Sequence, residues 1–232
     1  VIADFCEEYR KGRTPNPCIR CNQYIKFDAL LRKARSFEAD FVATGHYARI
    51  EYDGEQKRYL LRKGVDPLKD QSYALYTMTQ DQLAHTLFPL GAYTKKQTRE
   101  LAKKFALPVA AKGESQEICF IPDDDYARFL REYVPEAVVP GPIVGREGKV
   151  IGKHQGILFY TVGQRKGLGI AAERPLYVIS IDEPTNTLVV GEGKELYSKG
   201  LIASDLNWIA IEKVTQPLEV KAKIRYKSPE SE

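Results

Sequence analysis

The chain has 232 residues, 43% of them hydrophobic and 28% charged, a balance that allows an ordinary buried core and excludes collagen-like and disordered classes. Its 35 Lys and Arg against 31 Asp and Glu leave a formal charge of +4, which permits a nucleic-acid partner without requiring one. No apolar run reaches the length of a membrane span and no basic-then-apolar leader is present, so a cytoplasmic protein with no membrane partner is expected, and the opening on Val1–Phe5 without Met suggests a start inside a domain.

In chain order, Cys18 and Cys21 come first, two thiols read as a tight turn just before a helix, where free N–H groups and the helix dipole favour a thiolate. Cys21, nearest the expected helix start, is the better nucleophile candidate. The competing use is half of a zinc site, to be completed from Cys6, Cys119 and three scattered histidines. From Asn22 to Ala39, Ile25, Leu30, Leu31, Ala34 and Phe37 recur at helical spacing with Lys and Arg between them, which predicts an amphipathic helix. Asp40–Thr44 then reads as a buried parallel strand ending in a Gly45-His46 loop, and helix, strand and polar loop together are doubly wound α/β grammar.

Residues 48–63 alternate around Tyr52-Asp53-Gly54 as a hairpin, and Thr79 with Gln82 and Thr94 with Gln97 are capping boxes that make 79–106 mainly helical. A short helix over Tyr126–Tyr133 is followed by the Pro/Gly cluster at 140–148, taken as an internal boundary, and by strand-like segments at 157–162, 176–181, 187–190 and 218–226, with a turn at Asp182–Thr187. Lys153, His154, Arg165 and Lys166 are set among glycines, which suits a phosphate backbone, and Tyr160 and Tyr226 could stack on a base. By composition alone Cys119 would be a small buried residue.

Five segments change that last reading: GRTPNPCIRCN at 12–22, ATGHYAR at 43–49, KDQSY at 69–73, GESQEICF at 113–120, and HQG with GQRKGLGI at 154–170. In this order they closely resemble the 2-thiouridylases that modify tRNA, over almost the whole chain. The resemblance implies a partial doubly wound ATP-pyrophosphatase domain of the adenine nucleotide alpha hydrolase-like kind at 1–122, with a helical tRNA-contacting region. A small, mainly β central domain at 123–198 and the start of a C-terminal β-barrel at 199–232 would follow. It implies ATP with Mg as cofactor, adenylation of the wobble uridine of tRNA, and sulfur from a persulfide donor such as a cysteine desulfurase or a sulfur-relay protein. Cys119 matches the persulfide carrier. Cys21 matches the second catalytic cysteine, which attacks the persulfide to release sulfide or to leave a disulfide with Cys119. Asn16, Pro17 and Cys18 match the segment facing the target base, Gly45 an ATP contact, and His46, Lys69, Asp70, Gln71, Arg225 and Tyr226 tRNA contacts.

Two departures qualify this pattern. The SGGxDS-type phosphate loop of that family is not found in these residues, so an incomplete copy is expected, one that binds tRNA weakly and does not consume ATP by itself. Many members have Asp where Cys18 stands. Cys18, Cys21 and Cys119 could therefore be iron-sulfur ligands for the same reaction. Rivals of another class are a non-catalytic, zinc-stapled tRNA-binding module and an amide-forming ATP-pyrophosphatase, although the latter has no need of both Cys21 and Cys119.

Overall fold

A computed structural model describes residues 1–111, 113, 118–226 and 228–231. Its contacts divide the chain into two units, Val1–Pro17 with Gln116–Ala203, and Cys18–Ser115 with Ser204–Glu232. Helix α1 (Ile2–Arg10) buries Phe5, Cys6 and Tyr9 along one face, while Glu7 and Lys11 pair at 2.9 Å one turn apart on the outer side. Gly12 ends it at φ +64°, and a Cβ there would come within 2.5 Å of Ile181 Cγ2, so neither the backbone nor the space admits a larger residue.

The helix expected from Asn22 begins five residues earlier, because Pro17 takes the first helical position, where its missing N–H costs nothing. It runs as α2 (Pro17–Arg20), a π-helical stretch (Cys21–Ala29) and α3 (Leu30–Arg35). Both thiols therefore lie inside the helix and not on a turn ahead of it. The buried positions Asn22, Phe27 and Leu31 are spaced by five and then four, the periods of a π-turn and an α-turn. Of the expected stripe Leu31 is therefore buried and Ala34 half-buried, while Ile25, Leu30 and Phe37 are exposed. The helix also stops at Arg35, short of Ala39, and Glu38 at φ +60° reverses the chain.

Strand β1 (Val42–Ala43) is the core of the expected 40–44 strand. Strands β2 (Ala48–Asp53) and β3 (Arg58–Lys63) form the expected hairpin, its turn held by Asp53 Oδ1 accepting from the N–H groups of Glu55 and Gln56 at 3.0 Å. Both capping boxes are present, on α4 (Gln80–Ala84) and, after β4 (Thr86–Leu87) and a 3-10 turn at Pro89–Ala92, on α5 (Lys95–Lys104). β1 and β4 pair in parallel, and the core of this unit is Phe27, Ala48, Leu75, Met78, Leu83 and Phe88.

In the other unit, α6 (Tyr126–Tyr133) forms as expected, with Asp125 accepting from Arg128 N at 2.8 Å. A four-stranded sheet follows in the order β6-β5-β8-β7, from β5 (Gly141–Val144), β6 (Val150–His154), β7 (Tyr177–Asp182) and β8 (Thr187–Gly191). β7 and β8 with the turn between them match expectation. The Pro/Gly cluster, taken as a boundary, is instead strand β5: Pro142 lies beyond the two positions paired with β8, so its missing donor is not needed there. The strand expected at 157–162 is a 3-10 turn (Ile157–Phe159), entered through Gly156 at φ +149°; an unbroken apolar run does not itself separate strand from buried turn. Residues 218–226 form no strand and make a single bridge, Ala222 to Ser231. Among the described residues helices and strands are mixed as an α/β fold requires, and no helix is long and apolar enough to cross a membrane.

Gly91 gives a test of packing. A Cβ there would stand 1.7 Å from Ala48 O, whereas at Gly54 nothing lies within 4 Å. Gly91→Ala is expected to destabilise by about 3 kcal/mol and Gly54→Ala to stay within roughly 0.5 kcal/mol; equal urea midpoints for the two variants would refute the placement of the 89–92 turn.

Candidate functional site

Cys18 is the second residue of α2 and exposed, and Cys21 opens the π-helical stretch half-buried. It is Cys18, not Cys21, that occupies the first turn of the helix. Between them Arg20 donates to Gln23 Oε1 at 3.0 Å and lies 5.9 Å from the Tyr24 ring. Next to Cys21, Asn22 is buried and its Nδ2 donates to Ala74 O at 2.9 Å, while its Oδ1 has no hydrogen-bond partner among the described residues.

Cys119 belongs to the other unit and is exposed, contrary to the composition-only expectation. It sits on a turn closed by Ile121 N donating to Ile118 O at 2.8 Å. Ile118 and Phe120 on either side pack on the core, with the Phe120 ring 5.3 Å from Phe5 and 5.6 Å from Phe129. Anchored neighbours turn the thiol outward. Residues 114–117 of this motif lie outside the described residues. None of the four cysteines is in a disulfide, and burial pushes the thiol of Cys6 up. Among the described residues no three of His, Cys, Asp and Glu are gathered as metal ligands.

The expected tRNA-contacting residues fall within one unit and are linked by hydrogen bonds. Gly45 follows β1 at its C-terminal end, where parallel strands open their ligand sites. Tyr47 is clamped by Gln71 on both sides: Gln71 N donates to Tyr47 O, and Tyr47 N donates to Gln71 Oε1, each at 2.9 Å. Asp70 Oδ1 accepts from Gly64 N at 2.9 Å and Ser72 N at 3.2 Å, and its Oδ2 from Ser72 Oγ at 2.8 Å. Asp70 and Gln71 thus shape the loop that presents Lys69. Tyr73 donates to Ile224 O at 3.2 Å and its ring lies 6.4 Å from Tyr226, while Lys223 Nζ stands 5.5 Å over the Tyr226 ring. This brings the exposed Arg225-Tyr226 turn beside the Lys69–Tyr73 loop.

His46 is 8% exposed. Its Nδ1 is 2.8 Å from Thr44 Oγ1, and its ring packs 5.8 Å from Phe27 and 5.7 Å from Phe88. Burial, and then the Lys26 charge, push its pKa down to about 4, so it offers a hydrogen bond and not a cation. Two other residues are not where sequence placed them. His154 is buried, with Nδ1 accepting from Gly156 N at 3.1 Å and Nε2 donating to Asn186 O at 2.9 Å, and Tyr160 is buried against it at 5.9 Å. Neither faces RNA. Sequence reasoning assigned no role to Asn22 or Tyr73, although both lie inside motifs it singled out.

The depressed pKa of His46 has a thermodynamic consequence. The unfolded chain takes up the proton near 6.5 and the folded one only near 4, so stability falls as pH drops through that window, by about 3 kcal/mol for this group. Urea unfolding from pH 7 to pH 4 should show a shallower loss for His46→Phe than for the wild type; parallel curves would mean that His46 is not held neutral.

Residues 1–123 match a family model described as tRNA methyl transferase HUP domain, and residues 127–192 one described as tRNA methyl transferase PRC-barrel domain. The tRNA-specific 2-thiouridylase MnmA of Acetivibrio thermocellus is 54% identical over 232 residues, all of this chain and 65% of the relative. Its counterpart from Symbiobacterium thermophilum is 55% identical over all of this chain and 60% of the relative, and that from Pelotomaculum thermopropionicum 56% over 97% and 62%. The chain thus spans 60–65% of the length of these curated relatives. Matched over more than half its residues by the first model, the chain belongs to the family that the models describe as tRNA methyl transferase and the relatives as tRNA-specific 2-thiouridylase.

Proposed function

We propose that the whole protein is a tRNA-uridine 2-sulfurtransferase of the cytoplasm and that this chain contains both thiols of its chemistry. In this proposal residues 1–122 hold the catalytic domain, 123–198 the central domain and 199–232 the beginning of the C-terminal barrel. ATP, with its Mg, supplies the adenylyl group that turns the 2-oxygen of the wobble uridine into a leaving group. What supports a nucleotide there is local: Gly45 follows β1 at the C-terminal end of a parallel strand, where ligand sites of such strands open. Asn16, Pro17 and Cys18 face the target base, and His46, Lys69, Asp70, Gln71, Arg225 and Tyr226 hold the tRNA. A cysteine desulfurase or sulfur-relay protein loads Cys119 as a persulfide. Its terminal sulfur attacks C2, and the C2–O bond breaks as AMP leaves with the oxygen. The Cys21 thiolate then attacks Cys119 Sγ, the S–S bond breaks, sulfur stays on the uridine, and a Cys21–Cys119 disulfide awaits reduction by a thiol. If Cys21 attacks before transfer, sulfide is released and reaches C2 as the nucleophile, with the same products.

The observation that supports this most is the 54% identity with a named 2-thiouridylase along the entire chain. The exposed Cys119 on an anchored turn and the accessible Cys18 and Cys21 suit it. The family description favours methyl transfer as a second reading, which leaves the two thiols without a task. Product mass separates the two, since sulfur for oxygen and an added methyl give different gains.

With the full-length protein, tRNA, ATP and a persulfide donor, Cys21→Ser and Cys119→Ser should each reduce thiolation at least about a thousandfold and leave tRNA binding intact. Cys6→Ala, in the core and outside every motif, should remain active. Normal thiolation by either Ser variant would remove that residue from the mechanism.

A further inference from the structure

We propose that the loop Thr161–Ile170, in the unit built from 1–17 and 116–203, is a second RNA-phosphate site that grips the tRNA backbone; this rests on the tRNA reading above. The loop is pinned at both ends. Gly163 N donates to Val178 O at 2.8 Å and Val178 N to Gln164 O at 2.9 Å, which fixes its start on β7. Leu168 is buried in the core and fixes its far side. The Gln164 side chain braces the interior, accepting from Thr161 N at 3.1 Å and donating to Lys166 O at 3.0 Å. A loop held in this way has already lost its conformational entropy, so a ligand meets a preformed surface.

What the loop presents outward is cationic and open. Arg165 and Lys166 are exposed and have no acidic partner among the described residues. Gly167 and Gly169 have φ of +79° and +65°; nothing lies within 4 Å of a Cβ at Gly169, and at Gly167 only Gln164 Nε2 at 3.7 Å. The backbone can therefore be approached closely, as phosphate-binding turns require. An open cleft of about 710 Å³ adjoins the loop, with Arg165 and Arg174 in its lining and Glu173 as the one carboxylate. Arg174 pairs with Glu192 at 3.0 Å, but Glu192 also pairs with Lys194 at 3.0 Å, so the charge balance at the cleft stays positive. Two adjacent free cations over bare glycine backbone fit a phosphodiester chain, whose charges repeat, and fit poorly to a neutral or apolar ligand.

The test is equilibrium binding of tRNA to the full-length protein across a salt series, comparing wild type, Arg165→Ala/Lys166→Ala, and the charge-matched Arg146→Ala/Lys149→Ala in the exposed turn between β5 and β6. The loop variant is expected to bind roughly tenfold more weakly at low salt, with a salt slope shallower by about one to two, and to keep its ATP affinity. Wild-type affinity and slope in the loop variant, an equal loss in the β5–β6 turn variant, or a loss confined to ATP would each overturn the proposal, the last by assigning the site to free nucleotide phosphate. A wild-type protein that does not bind tRNA at all would remove the tRNA reading itself.

Discussion

Gln71 and Tyr47 are 24 residues apart in sequence, yet one residue closes on the other's backbone through two hydrogen bonds of 2.9 Å. Each such bond is worth only about 1 kcal/mol net, but leaving the N–H of a buried residue such as Tyr47 unsatisfied would cost about 1–3 kcal/mol. Much of the candidate site hangs on this clamp. On the Tyr47 side it fixes the Gly45-His46 loop that leaves β1. On the Gln71 side its carbonyl accepts from Ala74 N at 3.0 Å, and Ala74 O in turn accepts from Asn22, the neighbour of Cys21. The CxxC helix, the strand-end loop and the Lys69–Tyr73 loop are thereby one hydrogen-bonded assembly. Gln80 repeats the device on Tyr59, accepting from its N–H at 2.7 Å and donating to its carbonyl at 2.9 Å.

The charges of this unit are arranged as the proposed tRNA substrate would require. Its buried groups are neutral: His46 is held uncharged among Phe27 and Phe88, and Asn22 is an amide. The cations stand outside, with Lys63 paired to Glu230, Lys95 5.6 Å from the Tyr47 ring and Lys223 over Tyr226. Phosphates are met by exposed cations at little desolvation cost, while a base inserted toward the interior meets hydrogen-bonding and aromatic groups.

The parts of the fold legible in the sequence are those decided locally. Thr79 with Gln82 and Thr94 with Gln97 satisfy donors within one turn, Asp125 caps α6, and the 182–187 turn joins two alternating runs, so each could be read without knowing the rest. What was not legible depends on tertiary context. The π-helical stretch shifts the buried face to Asn22 and Phe27, which an α-helical period cannot find. Pro142 is tolerated in β5 only because of where β8 stops pairing. His154 looked like a surface cation among glycines, but both ring nitrogens are committed to backbone groups. For the site, motif resemblance named the residues, and spacing alone did not: Asp70 and Gln71 read as contact residues, whereas their side chains also build the loop, a role visible only once their partners at 47, 64 and 72 are known.

The most direct measurement of the clamp's role is amide hydrogen exchange on the Gln71→Ala variant of the full-length protein. Removal of the side-chain acceptor is expected to speed exchange together at 45–48, at 69–75 and at 21–23, because the three segments share one hydrogen-bonded assembly. Faster exchange confined to the immediate neighbours of residue 71, with 45–48 and 21–23 unchanged, would contradict it.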